Sequence, residues 1–392
     1  MKAFLERVHA SVFRTGWPKD DRSRLKAMHT SFVLHTHAAK VRVGSLRLSA
    51  TWTMGFVSMV LLILLTATGI YLMFYYFPYP GVAYRSMKDL AFVVPFGKIT
   101  RNLHRWGAHA MVITVTVHML RVFLMGGYKT PREANWVAGV GLWFLTLALS
   151  FTGYLLPWDQ LAFWAVTVGA NMMGAIPLVG EPMRVLVLGD HIVGESALLR
   201  FYVLHCVLLP VMLGGLVGFH IYRVRKDGGL IASEHEATSP AKAAVADEKP
   251  VKQTPRLAHA WPHLIYRELV IGITVTAVLA ACSLWLDAPL EPQADRTRTP
   301  NPAKAPWYFL GIQELAHYSA FWGGVFIPAA IVIGLCLLPY FDRKVVAPGR
   351  LFPRERRLAC WLFIGLLTFM AVTTVVGTYF RGPGWALMYW PH

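Results

Sequence analysis

The stretch from Arg101 to Arg121, RNLHRWGAHAMVITVTVHMLR, sets His104 and His118 fourteen positions apart in an apolar run. On an ideal helix that interval rises about 21 Å and stops about 40° short of four whole turns, so both rings share one face. A second run, FYVLHCVLLPVMLGGLVGFH from Phe201, carries His205 and His220 at an interval of 15. This pair overshoots four turns by about 60°, which a slight adjustment of the helix absorbs. Imidazoles are expensive in hydrocarbon unless a partner takes their polar nitrogens.

The rest of the chain supplies the hydrocarbon. Of 392 residues 55% are hydrophobic and 15% charged, a composition too apolar for a soluble protein of this length. Seven segments of about 20 residues meet the length of a membrane span, near 51–76, 104–125, 136–157, 201–223, 268–287, 320–340 and 358–379. The predicted fold is all-α, an integral membrane helical bundle. Its parts are a basic N-terminal segment (1–50), a four-helix part (51–227), a linker (228–262) and a three-helix part (263–392).

Within 1–50, Phe4, Leu5, Val8, Val12 and Phe13 recur at helical spacing between Lys2, Arg7 and Arg14, which predicts a helix lying on the membrane surface. No short apolar run with a small-residue cleavage site precedes the first span, so a cleaved leader is not expected. Most of the 38 Lys and Arg fall in 1–50 and in the alternate loops on the same side. That asymmetry predicts a cytoplasmic N-terminus and a C-terminus outside, as in a bacterial inner membrane. The net charge of +17 is thereby assigned to contacts with anionic lipid, not to nucleic acid.

With that topology the second and fourth spans run in parallel. His104 then stands level with His205, and His118 with His220. Each level clamps one iron through two axial imidazoles, so the spacing predicts two stacked, non-covalent b-type haems. Gly55 and Gly69 on the first span, and Gly139 and Gly153 on the third, repeat the interval of 14. Glycine is unfavourable inside a helix but lets a flat group approach the backbone, so the four read as notches for porphyrin. Arg101 and Arg121 stand at the ends where propionates emerge. His35, His37, His109, His191 and His317 lack such counterparts and are read as ordinary hydrogen-bonding histidines.

Cys206, Cys282, Cys336 and Cys360 all fall in or beside apolar segments, and no C-x-x-C-H occurs, so neither disulfides nor a covalent c-type haem is expected. Residues 228–262, rich in Ala, Lys, Glu and Pro, lack an apolar face and read as a flexible connection.

Taken together, RNLHRWGAH and VHMLR, GGYKTPREANWVAG, GYLLPWDQLAFWAV, AIPLVG, RFYVLH, PWYFL and the late RGPGW make the chain resemble the cytochrome b subunit of the Rieske/cytochrome b complexes. The interval of 15, the spelling PWDQ at Pro157 to Gln160 and the seven spans are similar to the cytochrome bf branch with its partner subunit fused. Where that branch attaches a further haem through cysteine, Thr53 stands here. The resemblance implies quinol oxidation at an outer pocket and quinone chemistry at an inner one. It also implies electron transport coupled to proton translocation, a Rieske iron-sulfur protein and a c-type cytochrome subunit as partners, and a homodimeric complex.

The outer pocket would lie between Tyr154 to Trp164, Ala175 to Gly180 and the loop holding Trp307 and Tyr308. There the chain departs from the family's Pro-Glu-Trp-Tyr, because Ala305 and Pro306 precede Trp307. Glu314 becomes the candidate substitute proton acceptor, with Asp159 behind it. On the inner side Arg225, Lys226 and Asp227 are candidates for the quinone. The missing acid keeps a second reading open, a dihaem conduit or anchor serving a partner enzyme without division of electrons at a Rieske protein.

Overall fold

The computed structural model describes residues 20–30, 37–48, 52–227, 257–342 and 351–389. In chain order the elements are α1 (Asp21–Thr30), β1 (Lys40–Arg42), α2 (Met54–Met73), α3 (Pro80–Phe92), α4 (Gly97–Leu124) and α5 (Glu133–Leu155). There follow α6 (Gln160–Gly174), α7 (Gly180–Leu188), α8 (Glu195–Asp227), β2 (Leu257–His259), α9 (Ala260–Trp285), α10 (Trp307–Tyr318), α11 (Trp322–Phe341) and α12 (Arg357–Tyr379). The seven expected spans are present, as α2, α4, α5, α8, α9, α11 and α12.

Several helices outrun their hydropathy. α4 begins at Gly97, α8 at Glu195 and α9 at Ala260, the last inside the stretch read as linker. Their opening two to three turns carry Lys98 and Arg101, Glu195 and Arg200, or Arg267 and Glu268. Helical hydrogen bonding continues through such polar turns, whereas a hydropathy window stops at them. The amphipathic helix expected near Phe4 to Arg14 and the linker core lie outside the described residues. Within 1–50 the described helix is α1, opened by a reciprocal cap in which Ser23 N–H donates to Asp20 Oδ1 (2.8 Å) and Asp20 N–H to Ser23 Oγ (3.2 Å).

The all-α description needs one small amendment. β1 and β2 pair antiparallel, with Lys40 opposite His259 and Arg42 opposite Leu257. Connectivity places this pair at one end of the bundle, and α3, α6, α7 and α10 at the other. The most apolar windows of α4 and α5 are 39% buried and that of α9 only 6%, so α4 and α5 form the interior while α9 presents its side chains outward. Outward-facing Leu269, Val270 and Ile273 suit hydrocarbon contact.

The two parts of the chain are joined by buried polar groups. At the strand end Lys129 pairs with Asp342 (2.6 Å), and Arg356 reaches the same carboxylate (3.4 Å) and the Phe123 carbonyl (3.1 Å). At the other end Asn102 Nδ2 donates to the Ser283 carbonyl (3.0 Å) and the Trp106 indole to the Leu286 carbonyl (2.8 Å). Within low dielectric each such bond fixes register, because breaking it strands a polar atom.

Candidate metal centre and adjoining cavity

The histidines are carried by the two helices on which the sequence places them. His104 and His118 stand on α4; His205 and His220 stand on α8. In α8 the residues Leu204–Leu208 form a π turn, and this turn contains His205. A π turn takes up one extra residue, so it converts the interval of 15 into the face relation of 14 on α4. This is the physical form of the adjustment that the spacing requires.

The rings of His104 and His205 approach with centroids 6.2 Å apart and planes at 77°. A metal held between two imidazole nitrogens at about 2 Å from each separates the ring centres by about 6 Å. The ring nitrogens are prepared for that use. Thr68 Oγ1 donates to the Leu64 carbonyl (2.8 Å) and lies 2.9 Å from His104 Nδ1. A hydroxyl whose proton is committed can only accept, so Nδ1 carries the hydrogen and Nε2 is left with its lone pair. His205 is held in the same way, by Thr152 Oγ1 (3.2 Å) and the Leu149 carbonyl (3.1 Å), while Thr152 donates to Ala148 (2.9 Å).

At the second level His118 and His220 repeat the pair of imidazoles, and among the described residues no side-chain hydroxyl holds His118 Nδ1.

The glycines pair with the histidines one to one. A Cβ on Gly69 would lie 3.3 Å from His104 Cε1, on Gly55 3.2 Å from His118 Cε1, on Gly139 3.7 Å from His220 Cε1 and on Gly153 2.5 Å from His205 Cε1. The approach is closer than ordinary contact at Gly153, Gly55 and Gly69 and ordinary at Gly139. The donor set and the ring spacing of His104 and His205 fit bis-histidine iron, and His118 with His220 repeat the donor set.

A cavity of about 460 Å³ runs from His104 and His205 past Tyr154 and Asp159 to Pro306 and Tyr308. Tyr154 carries the Arg105 guanidinium over its ring at 5.2 Å. Burial pushes the Tyr308 phenol up. Asp159 is buried with both oxygens engaged, Oδ1 by Ala162 N–H (2.9 Å) and Oδ2 by Glu291 N–H (3.1 Å). Burial raises its carboxyl above the usual range against the pull of those donors. Its bonds cap α6 and hold the loop before α10.

Glu314 occupies a different place from the one expected of a proton acceptor. It is 3% exposed and lies outside the cavity wall. Arg381 pairs with it, Trp385 Nε1 donates to it (2.9 Å) and Tyr318 donates to it (3.3 Å). Burial alone would raise its carboxyl, but the Arg381 and Trp385 bonds outweigh that and hold it below the usual range. The RGPGW stretch thus clamps α10 to the end of α12, and the acid is spent on that clamp.

The arginines also have occupations. Arg101 donates to the carbonyls of Ala288 (2.8 Å) and Pro289 (2.7 Å), while Arg121 is buried at the far end of α4. Arg105, one residue after His104, has a buried Nε with no partner. Beyond His220, Asp227 pairs with Arg223 (3.1 Å), and Lys226 lies 5.8 Å from the Tyr222 ring centre. Arg225 stands on the same last turn of α8. His37 pairs with Glu268 (3.0 Å) and His191 with Glu181 (3.6 Å), in keeping with the ordinary roles expected of them. His109 is the exception: it lines the cavity and accepts from the Trp307 indole at 2.8 Å. Its five-residue offset from His104 gives no sign of this, because its partner is 198 positions away.

Comparison with known proteins gives the family. The family described as Cytochrome b(N-terminal)/b6/petB matches residues 109–295, and that described as Cytochrome b(C-terminal)/b6/petD matches 293–388. The cytochrome b6 of Heliobacterium mobile is 40% identical over 186 residues, which cover 47% of this chain and 87% of that protein. The chain belongs to the cytochrome b/b6 family. Cytochrome b6 of Synechococcus sp. (strain WH7803) is 41% identical over 177 residues, 45% of this cytochrome b and 81% of that protein. A solved structure titled Hyperthermophilic respiratory Complex III superposes with a TM-score of 0.74 at 25% identity, covering 92% of this chain and 90% of that one. This cytochrome b is therefore an integral membrane, b-type haem protein and a redox subunit of a multi-subunit quinol-oxidising complex.

Proposed function

We propose that this cytochrome b carries electrons from quinol across a bacterial inner membrane through two bis-histidine haems, with its N-terminus on the cytoplasmic side. His104 and His205 hold the outer haem, His118 and His220 the inner. The observation that carries the reading is the matched pair of histidine levels, each ring lying against its own glycine. Bound there, haem supplies one-electron redox chemistry at two depths about 21 Å apart along the helices.

The protein's own contribution is placement. Thr68 and Thr152 orient the outer imidazoles with Nε2 available, and the π turn of α8 sets His205 at the height of His104. Arg105 and Arg121 serve the propionates, with Arg101 instead securing the loop after α9. Tyr154 and Tyr308 line the outer quinol pocket beside the first histidine pair, Trp307 holds the wall residue His109, and Asp159 keeps the wall in place. The last turn of α8, with Arg225, Lys226 and Asp227, forms the inner quinone side. The front part, 51–227, bears the haems, and the back part completes the outer pocket through Ala305 to Tyr308.

A Rieske iron-sulfur protein takes one electron of each quinol and passes it to a c-type cytochrome. The complex is a homodimer of such assemblies. Purification of the intact complex tests this: two b-type haems per chain, iron-sulfur signals of the Rieske type and reduction of the b haems by quinol are expected. A complex holding multihaem cytochromes and no iron-sulfur protein would overturn it.

A further inference from the structure

We propose that His109 binds the quinol in the outer pocket, donating its Nε2–H to a ring oxygen of the substrate. The proposal rests on reading the cavity beside His104 and His205 as the quinol site.

The hydrogen position follows from the partner. An indole nitrogen is a donor only, so the Trp307 N–H at 2.8 Å obliges His109 Nδ1 to present its lone pair. A neutral imidazole then carries its hydrogen on Nε2, at the opposite edge of the ring. Among the described residues that edge has no hydrogen-bond partner, and His109 is part of the cavity wall.

The ring is also fixed in orientation. Trp106, Trp307 and Tyr308 surround it with centroids at 5.4, 6.4 and 5.6 Å. A donor locked by packing loses little freedom when it binds, which favours its use in recognition.

Three of its polar neighbours in the wall are otherwise engaged. Asp159 spends both oxygens on backbone N–H groups, Lys304 Nζ donates to the Thr378 carbonyl (2.6 Å), and Arg101 holds two carbonyls. Pro306 offers no side-chain polar atom. An apolar cavity with a fixed neutral donor suits a flat, uncharged ring bearing oxygens, the chemistry of a quinone head group. The histidine comes from α4 and its orienting indole from α10, so the recognition element joins the two parts of the chain.

The test uses the intact complex, with decyl-ubiquinol and a short-chain naphthoquinol as separate substrates and spectra of the b haems as a control. His109→Phe keeps the ring's bulk and loses the donor, and is expected to raise KM roughly three- to tenfold while haem content is unchanged. His109→Gln restores a donor and is expected to recover most of that loss. A wild-type KM in His109→Phe overturns the proposal, as does a His109→Gln enzyme no better than His109→Phe, which would mark a packing role. Failure of both quinols to reduce the haems of the wild-type complex would instead overturn the quinol reading of the cavity, and this proposal with it.

Discussion

The two histidine levels are built on one repeat and finished differently. At each, a glycine on α2 and a glycine on α5 lie against the rings. At the level of His104 and His205 the residues before those glycines are Thr68 and Thr152, and their hydroxyls hold the Nδ1 atoms. At the level of His118 and His220 the same places hold Met54 and Ala138, which offer no hydroxyl to the Nδ1 atoms. On the proposed reading the repeat would set where each metal sits, and the residue beside each glycine how basic its ligands are. An acceptor at Nδ1–H raises the basicity of an imidazole and favours the more oxidised iron. The outer site would then hold its electron less firmly than the inner.

The largest break in this comparison comes from filling the notches. Gly153→Ala puts a methyl 2.5 Å from His205 Cε1, closer than carbon atoms tolerate, whereas Gly139→Ala meets His220 at an ordinary 3.7 Å. Haem spectra of the two variants should differ, with the outer b-haem signal lost in the first and both signals kept in the second. Equal haem retention would remove the idea that close glycine contact defines the outer site.

A smaller change tests the hydroxyls. Thr68→Val and Thr152→Val keep the shape and remove the acceptor, so redox titration should show the outer haem potential rising and the inner one fixed. Movement of neither, or of both together, would mean that the threonines do not distinguish the levels. The smallest effect is expected from the reciprocal variant, Ala138→Ser, which offers the inner level a hydroxyl at the matching place. A modest fall in the inner potential, with the outer unmoved, would complete the exchange of character.

The spans, and the placing of the four histidines against four glycines, were legible because each is a local period: apolar length, or an interval near 14 on a helix. The threonine beside each outer glycine was visible too, but its meaning depends on which way a hydroxyl hydrogen points, and that is set by the carbonyl four residues earlier. Glu314 looked available because its chain neighbours are apolar. The group that claims it, Arg381, is 67 residues on, and only folding brings the two together. His109 was passed over for the same reason, with Trp307 far along the chain. Hydropathy also misplaced the ends of α4, α8 and α9, since it measures preference for lipid and not the reach of the helical hydrogen-bond ladder.

The short pairing of β1 with β2 bears on how such a chain tolerates division. Because Lys40 lies opposite His259, the segment before the first span grips the approach to the back part directly, and the Lys129–Asp342 and Asn102–Ser283 contacts join the front and back parts at both ends of the bundle. The geometry of the joint across positions 227 and 257 then belongs to this interface. A gene cut at that point would still encode two pieces able to find and hold each other. One polypeptide or two is, for this architecture, a matter of how the message is punctuated.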